Sequence, residues 1–427
     1  VRFTQLDAWL RWLETLHPKP IDLGLERVQT VARALNIHFS IPVITVAGTN
    51  GKGSTVALLD AILTAEGKRV GCYTSPHLLH YNERVKLAGE LATDQQFCDI
   101  FAQIDAARGD ISLSYFEFGT LAALCLFMAA ELDVVVLEVG LGGRLDAVNI
   151  IDADIAIVTS VALDHEAWLG SDRDTIGREK AGVFRSGKPA IFGDSLPLAS
   201  VIDYAESQQV PLLARDRDFG FDYAESAWHW WGQQAGERRE ILNLPLPRVL
   251  LDNAASCLQA IEFLPFAVSE AAIRTGLQTV SVSARQQRFD FNGIEVWLDV
   301  AHNPAAVARL AEALHISSGK GCSGQGSSEQ GKTVAVFAIM ADKAVDAVLE
   351  IMFPLVDCWA LPQLLDNPRA LSAEVLAAKL ESQAAEVMSQ GQAMAATLDN
   401  IIPEIRAGDR LVIFGSFFTV ADALAYF

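Results

Sequence analysis

The chain has 427 residues, 51% of them apolar and 20% charged, and a formal net charge of −20. That length exceeds what one hydrophobic core usually serves, so two domains are expected. No apolar run reaches the roughly 20 residues that cross a bilayer, and a strongly negative surface disfavours nucleic acid and anionic membranes as partners. The first stretch, VRFTQLDAWLRWLETLHPK, is amphipathic and lacks the basic start and unbroken apolar run of a signal peptide. Six cysteines occur without a C-x-x-C pair, which reads as buried free thiols in a reducing compartment rather than zinc ligands. The expectation is a cytoplasmic protein and, without a long exposed apolar helix, a monomer.

In chain order, residues 21–28 (IDLGLERV) open an amphipathic helix with Asp22 as its N-cap. Strands are expected at 43–47, 70–74, 133–139, 154–159 and 189–192, and again at 294–300, 333–339 and 410–414. Several are unbroken β-branched runs, such as DVVVLEV, which suits a parallel sheet covered by helices on both faces. Alternation of these strands with helical patterns predicts α/β architecture. The Gly- and Ser-rich stretch 316–332 reads as a surface loop inserted between a helix and a strand. A boundary near 281–288 divides the chain into domains 1–283 and 284–427.

The sharpest motif is VITVAGTNGKGST at 43–55. A buried strand, a Gly-rich turn and a helix in that order aim backbone N–H groups and a positive helix end at an anion. Lys52 reaches the terminal phosphates of a nucleotide, and Ser54 or Thr55 reaches Mg²⁺. The spelling departs from the general phosphate loop, with Val46 in place of the first glycine and Gly53 between the lysine and the hydroxyl. Glu138 interrupts a wholly apolar strand near its carboxyl end, where ligands bind in α/β sheets. Burying its carboxylate requires a partner, either Arg144 or a metal. Gly140, Gly142 and Gly143 shape the turn that follows. From residue type alone, Lys180 reads as an exposed helix lysine, Ser75 as a turn cap, and Asn253 as a helix N-cap. Phe116 and Phe118 read either as stacking partners or as core.

AGTNGKGS resembles the loop of the folylpolyglutamate and dihydrofolate synthases, relatives of the Mur ligases. IDLGLERV, SYFEFGT, LDHEAWLG, DVAHNP and FGSFFTV extend the resemblance over essentially the whole chain, more weakly at 195–245 and 315–335. ARGDISLSYFEFGT with IDLGLERV looks nearest to the bacterial bifunctional type. The resemblance implies a phosphate-loop NTPase-like parallel-sheet N-terminal domain binding ATP and pterin, followed by a smaller Rossmann-like ligase domain. It implies ATP contacts from Thr49, Asn50, Gly51, Lys52, Gly53, Ser54, Asn253, Arg288 and Asp299, and a Mg²⁺ site at Ser75, Glu138 and His165. Lys52, His165 and Lys180 become the catalytic set, with Lys180 carbamylated by CO₂. The pterin wall is implied at Asp22, Leu23, Gly24, Leu25, Ser114, Tyr115, Phe116, Glu117, Leu145, Asp146 and Ala147. His302 and Ser416 fall on the glutamate side, and a monovalent cation is a further candidate. Gln287 stands where the family has glycine, preceded by Arg285 and Gln286 instead of a proline, which puts the local backbone geometry in question.

The implied reaction joins L-glutamate to dihydropteroate, forming dihydrofolate, and adds further glutamates to folates. ATP phosphorylates the substrate carboxylate, and the glutamate amine attacks the acyl phosphate. The rival readings are a Mur-type amino-acid ligase, a single-activity folylpolyglutamate synthase, and a non-catalytic nucleotide-binding scaffold.

Overall fold

The computed structural model describes residues 2–427 apart from 20, 225, 235, 318–330 and 366. The chain divides into two compact units, Val1–Ser281 and Val282–Phe427. Most of the Gly- and Ser-rich stretch expected as a surface loop lies outside the described residues.

The first unit holds an eight-stranded sheet made of β1 (Val43–Ala47), β2 (Val70–Tyr73), β3 (Val85–Leu87), β4 (Glu90–Leu91), β5 (Val134–Glu138), β6 (Ile155–Val158), β7 (Ala190–Phe192) and β8 (Leu212–Ala214). Their order is β4-β3-β2-β5-β1-β6-β7-β8. The six strands from β2 to β8 along that order are parallel, and β3 and β4 close one edge antiparallel. The central strands β1, β5 and β6 are buried at every residue, which is why they read as continuous apolar runs. Register places Val46 beside Glu138, so the carboxyl ends of β1 and β5 emerge together.

Helix Lys52–Ala65 follows β1. Helix Tyr115–Ala129 is capped by a box in which Ser114 accepts the Glu117 N–H and Glu117 accepts the Ser114 N–H. Both helices are nearly apolar all round and buried accordingly.

A three-stranded antiparallel sheet also belongs to this unit: β9 (Gly220–Ala224), β10 (Ala227–Gln234) and β11 (Glu237–Leu244), in the order β11-β10-β9. No unbroken apolar run marks these strands in the sequence, because β10 alternates. Trp228 and Trp230 point inward from AWHWWGQQ while their neighbours face outward. Trp230 Nε1 donates to Ala255 O at 3.1 Å, tying this sheet to helix Leu251–Ile261.

The second unit carries β12 (Gln287–Phe291), β13 (Ile294–Asp299), β14 (Thr333–Phe337), β15 (Cys358–Leu361), β16 (Glu386–Gln390) and β17 (Arg410–Phe414), ordered β12-β13-β17-β14-β15-β16. Only β12 and β13 pair antiparallel. The α/β expectation with a mostly parallel first sheet and a smaller second one holds, with a mixed edge in each. Strands β12, β15 and β16 escaped the sequence reading. Strands β12 and β16 are half-exposed, and β15 is only four residues long. Among the described residues no helix is long and apolar enough to cross a membrane.

Candidate active site

The phosphate loop is held from outside by the end of β6. Thr49 N donates to Ser160 O at 2.7 Å, Thr159 Oγ1 and Ser160 Oγ both donate to Asn50 O, and Thr49 Oγ1 exchanges bonds with the backbone of Ala162. Gly51 caps the helix at φ 88, and a Cβ there would lie 2.6 Å from Asn253 Oδ1. Glycine is therefore required both for the left-handed backbone and for the approach of the amide. Lys52 Nζ donates to Gly48 O and Thr49 O, holding its charge over the loop. Thr55 Oγ1 donates to Gly51 O inside the helix, which leaves Ser54 as the hydroxyl of the pair at the loop.

Glu138, 5% exposed, ends β5. Its Oε2 accepts the Ser75 N–H at 3.1 Å and lies 3.6 Å from where a Cβ on Gly53 would be. The structure thus brings Ser75, Glu138 and the start of the phosphate-loop helix together. Arg144 takes a different partner: it donates to Glu179 Oε1 from a half-exposed position. His165 sits in left-handed backbone at φ 52, just before the short helix Glu166–Leu169, with its N–H donating to Asp164 Oδ1. A buried carboxylate, a hydroxyl and an imidazole are donors that a hard divalent ion accepts when waters complete its shell. Among the described residues there is no cluster of three or more His, Cys, Asp and Glu. The expected trio contains only two residues of those types.

Lys180 is the largest departure from residue-type expectation, at 3% exposed. Burial pushes its ammonium down to about 7; the charge of Lys52 lowers it further, while Asp164 and Asp146 oppose the shift. The turn after β5 makes this possible. A Cβ at Gly143 would lie 2.8 Å from the carbonyl oxygens of Glu179 and Lys180, so only glycine lets helix Arg173–Ala181 seat there. Asp146, 3% exposed, accepts the N–H groups of Leu141 and Val148, and burial pushes its carboxyl up to about 6.

The segments of the expected pterin wall converge. Helix Glu26–Ala34 packs against helix Tyr115–Ala129 and the turn Ala147–Ile150. Arg27 joins two of them, donating to Asp22 Oδ2 at 2.6 Å and to Glu117 Oε1 at 3.1 Å. Asp22 is not the helix cap, which is Leu25; its carboxylate instead receives Arg27 and lies 3.2 Å from His17 Nε2. Leu23, Gly24, Leu25, Tyr115, Phe116 and Leu145 are half-buried. Ser114, Glu117 and Ala147 are buried, and both carboxylate oxygens of Glu117 are engaged. Phe118 belongs to the core, fully buried edge-on to Trp12 and Phe101, whereas Phe116 lies over Gly140.

In the second unit, Asp299 accepts the Gln286 and Ala301 N–H groups, and burial raises its pKa. The Arg288 guanidinium stacks 3.7 Å from the Trp297 ring centroid. His302 Nδ1 lies 2.8 Å from Val300 O and its ring is near Phe417. Asn303 accepts the Ala306 N–H at the start of helix Pro304–Ser317. Ser416 is a buried N-cap, bonded to Thr419 N and Oγ1, so its hydroxyl is engaged in the fold. Asn253 likewise is no N-cap: Leu250 holds that position, and the Asn253 amide faces Gly51.

Comparison with known proteins adds the family. The Mur ligase middle domain matches residues 46–211, and the Mur ligase glutamate ligase domain matches 284–417. The Escherichia coli (strain K12) dihydrofolate synthase/folylpolyglutamate synthase is 42% identical over 423 residues, spanning 98% of this chain and 94% of the relative. This chain belongs to the dihydrofolate synthase/folylpolyglutamate synthase family. As a member it is an ATP-dependent ligase. The family's Mycobacterium tuberculosis member is 31% identical over 86% of this chain and 78% of its own length. A solved E. coli FolC in complex with DHPP and ADP superposes with TM-score 0.90 at 42% identity, covering 99% of this chain and 97% of that one. A Yersinia pestis synthase complexed with AMPPNP and Mn ion superposes at 0.89 with 44% identity, over 99% and 98%. Within this family frame, sequence reasoning passed over Thr159 and Ser160, which bolt the phosphate loop, and Asp164, beside Lys180. Their only signal was small polar residues at the end of an apolar strand, as in VTSVALDH.

Proposed function

We propose that the chain joins L-glutamate to dihydropteroate, and further glutamates to folates, through an acyl phosphate formed with ATP. The observation that carries this reading is the convergence, within the first unit, of three features. A bolted phosphate loop bearing Lys52 lies with the buried Glu138–Ser75 pair, and both share the unit with the Arg27-tied wall of Asp22 and Glu117.

On this reading the loop N–H groups and Lys52 hold the β- and γ-phosphates, Asn253 supports the adenine side, and Ser54 faces the metal. Ser75, Glu138 and His165 would hold Mg²⁺, which would supply charge neutralisation for phosphoryl transfer. Within the second unit, Arg288 and Asp299 are read as nucleotide residues and His302 as a glutamate residue. Ser416 is left with an indirect part, holding the turn after β17. Lys180 is carbamylated: its neutral amine attacks the carbon of CO₂, an N–C bond forms, one C=O π pair moves to oxygen, and the proton leaves to solvent. An amine depressed to about 7 is about half neutral at that pH, so capture needs no base. The resulting anion would answer the positive charge of Lys52. The substrate carboxylate then attacks the γ-phosphorus, ADP leaves, and the amine of glutamate displaces phosphate.

The enzyme works as a cytoplasmic monomer on this reading, with the described cysteines free and reduced. Sedimentation of the purified protein tests the monomer. ADP release in the presence of MgATP and L-glutamate tests the activity. Dependence on dihydropteroate establishes the synthase, and turnover of tetrahydrofolate as well establishes both activities. Tetrahydrofolate alone would leave a single-activity enzyme, and silence with all pterins would return the Mur-type and scaffold readings.

A further inference from the structure

A buried cation that no motif singled out stands between the Ser75–Glu138 pair and the pterin wall. Arg84 ends the turn Tyr81–Arg84 and is 8% exposed. Its carbonyl accepts the Thr74 N–H, one residue before Ser75. Its Nε donates to His77 Nδ1 at 2.8 Å. An arginine can only donate, so that ring nitrogen is unprotonated and the imidazole neutral. The guanidinium carbon lies 5.3 Å from the Tyr81 ring centroid and 5.7 Å from that of Tyr115.

Every one of these neighbours is uncharged. The carboxylates nearby are engaged elsewhere: Glu83 with the N–H groups of Leu78, Leu79 and His80, Glu117 with Ser114 and Arg27, and Asp146 with Leu141 and Val148. Among the described residues none forms an ion pair with Arg84. Arginine does not shed its proton to escape burial, so a desolvated guanidinium without a counter-charge is costly unless an anion completes it. The surroundings leave a way in, because His77, Tyr115 and Phe116 are only half-buried.

We propose that Arg84 is the carboxylate receptor for the pterin-bearing substrate, its planar fork taking the carboxylate while the tyrosine rings flank the adjoining group. This rests on the folate reading above. Dihydropteroate carries one carboxylate, the one that reacts; in a folate that group has become the amide to the first glutamyl residue, whose side-chain carboxylate reacts in its place and whose α-carboxylate does not. The two sources are separable by experiment.

The test is Arg84→Gln, assayed for kcat and KM with dihydropteroate and with tetrahydrofolate, alongside thermal melting. The expected result is a KM for the pterin substrate raised about tenfold or more, with the KM values for ATP and glutamate little changed. An equal rise for both substrates identifies the reacting carboxylate, and a rise for tetrahydrofolate alone identifies the non-reacting α-carboxylate of the glutamyl tail. Unchanged KM for both overturns the proposal. Should R84Q fail to fold, Arg84→Lys keeps the charge and removes the fork; normal KM values in that variant overturn the fork geometry. Turnover of the pterins by the unmodified enzyme tests the folate reading separately, and its absence removes both.

Discussion

The phosphate loop in the first unit and the connection into β12 in the second both pass through left-handed backbone, and they do so with opposite residues. The loop uses Gly48 and Gly51 at φ 146 and 88, while the connection uses Ala284 and Gln286 at φ 57 and 45. At the loop the space a side chain would need is filled by Asn253. At the connection the strain is held down by bonds: the Gln287 side chain accepts the Ala284 N–H, and Asp299 accepts the Gln286 N–H. Glycine removes the cost of an unusual backbone where a ligand must approach; side-chain hydrogen bonds over-determine it where residue type does not help. Arg288 follows this turn directly on β12.

The largest effect should come from the loop. Lys52→Ala should cut ligation at least ~10²-fold, the usual scale for losing one preorganised charge contact in a transition state, while the melting temperature stays close to that of the unmodified protein. Near-normal turnover would remove the loop from the chemistry.

Next comes Lys180. In CO₂-containing buffer, activity should rise with pH through an apparent value near 7, as the amine becomes free to capture CO₂. Intact mass should show the addition of one CO₂, and activity in a protein shown to carry none would refute the role. In CO₂-free buffer the stability sign is fixed as well. The folded value lies below the unfolded 10.5, so the unfolded chain binds more protons between the two. Stability of the unmodified protein must then rise as pH climbs from about 7 toward 10.5, with the burial penalty fully present below that window.

The two turns themselves give the smaller, opposed pair. Gly51→Ala forces a Cβ into left-handed backbone and against Asn253. It should destabilise by about 1–2 kcal/mol or more by chemical denaturation and raise the KM for ATP. Gln286→Gly should do the reverse at the connection, stabilising by up to about 1 kcal/mol once the flexibility of glycine in the unfolded chain is set against the relieved strain. If both changes destabilise alike, the contrast between the two turns is wrong.

Much of this was legible in the chain because burial on both faces writes itself as unbroken β-branched runs. VITVA, DVVVLEV and DIAIVT became β1, β5 and β6, and the lone acid in the second of these became the buried Glu138. What escaped was decided by tertiary contact. The β9–β11 sheet alternates, and its inward side, Trp228 and Trp230, is identified only by the helix it meets. Lys180 has the residue type and helical setting of a surface lysine; Gly143, far away in sequence, lets the chain bury it. Asp22 has the position of a cap but is drawn off by Arg27, whose other partner, Glu117, is 90 residues away. Short-range pattern gives the elements; which side chains share a charge is settled between elements.

The bolting of the phosphate loop by Thr159 and Ser160 carries a thermodynamic consequence. The loop's ordering entropy is lost when the first unit folds, through bonds from Thr159, Ser160 and Ala162 to residues 49–50, and not when nucleotide arrives. ATP therefore meets a cradle already in its working shape.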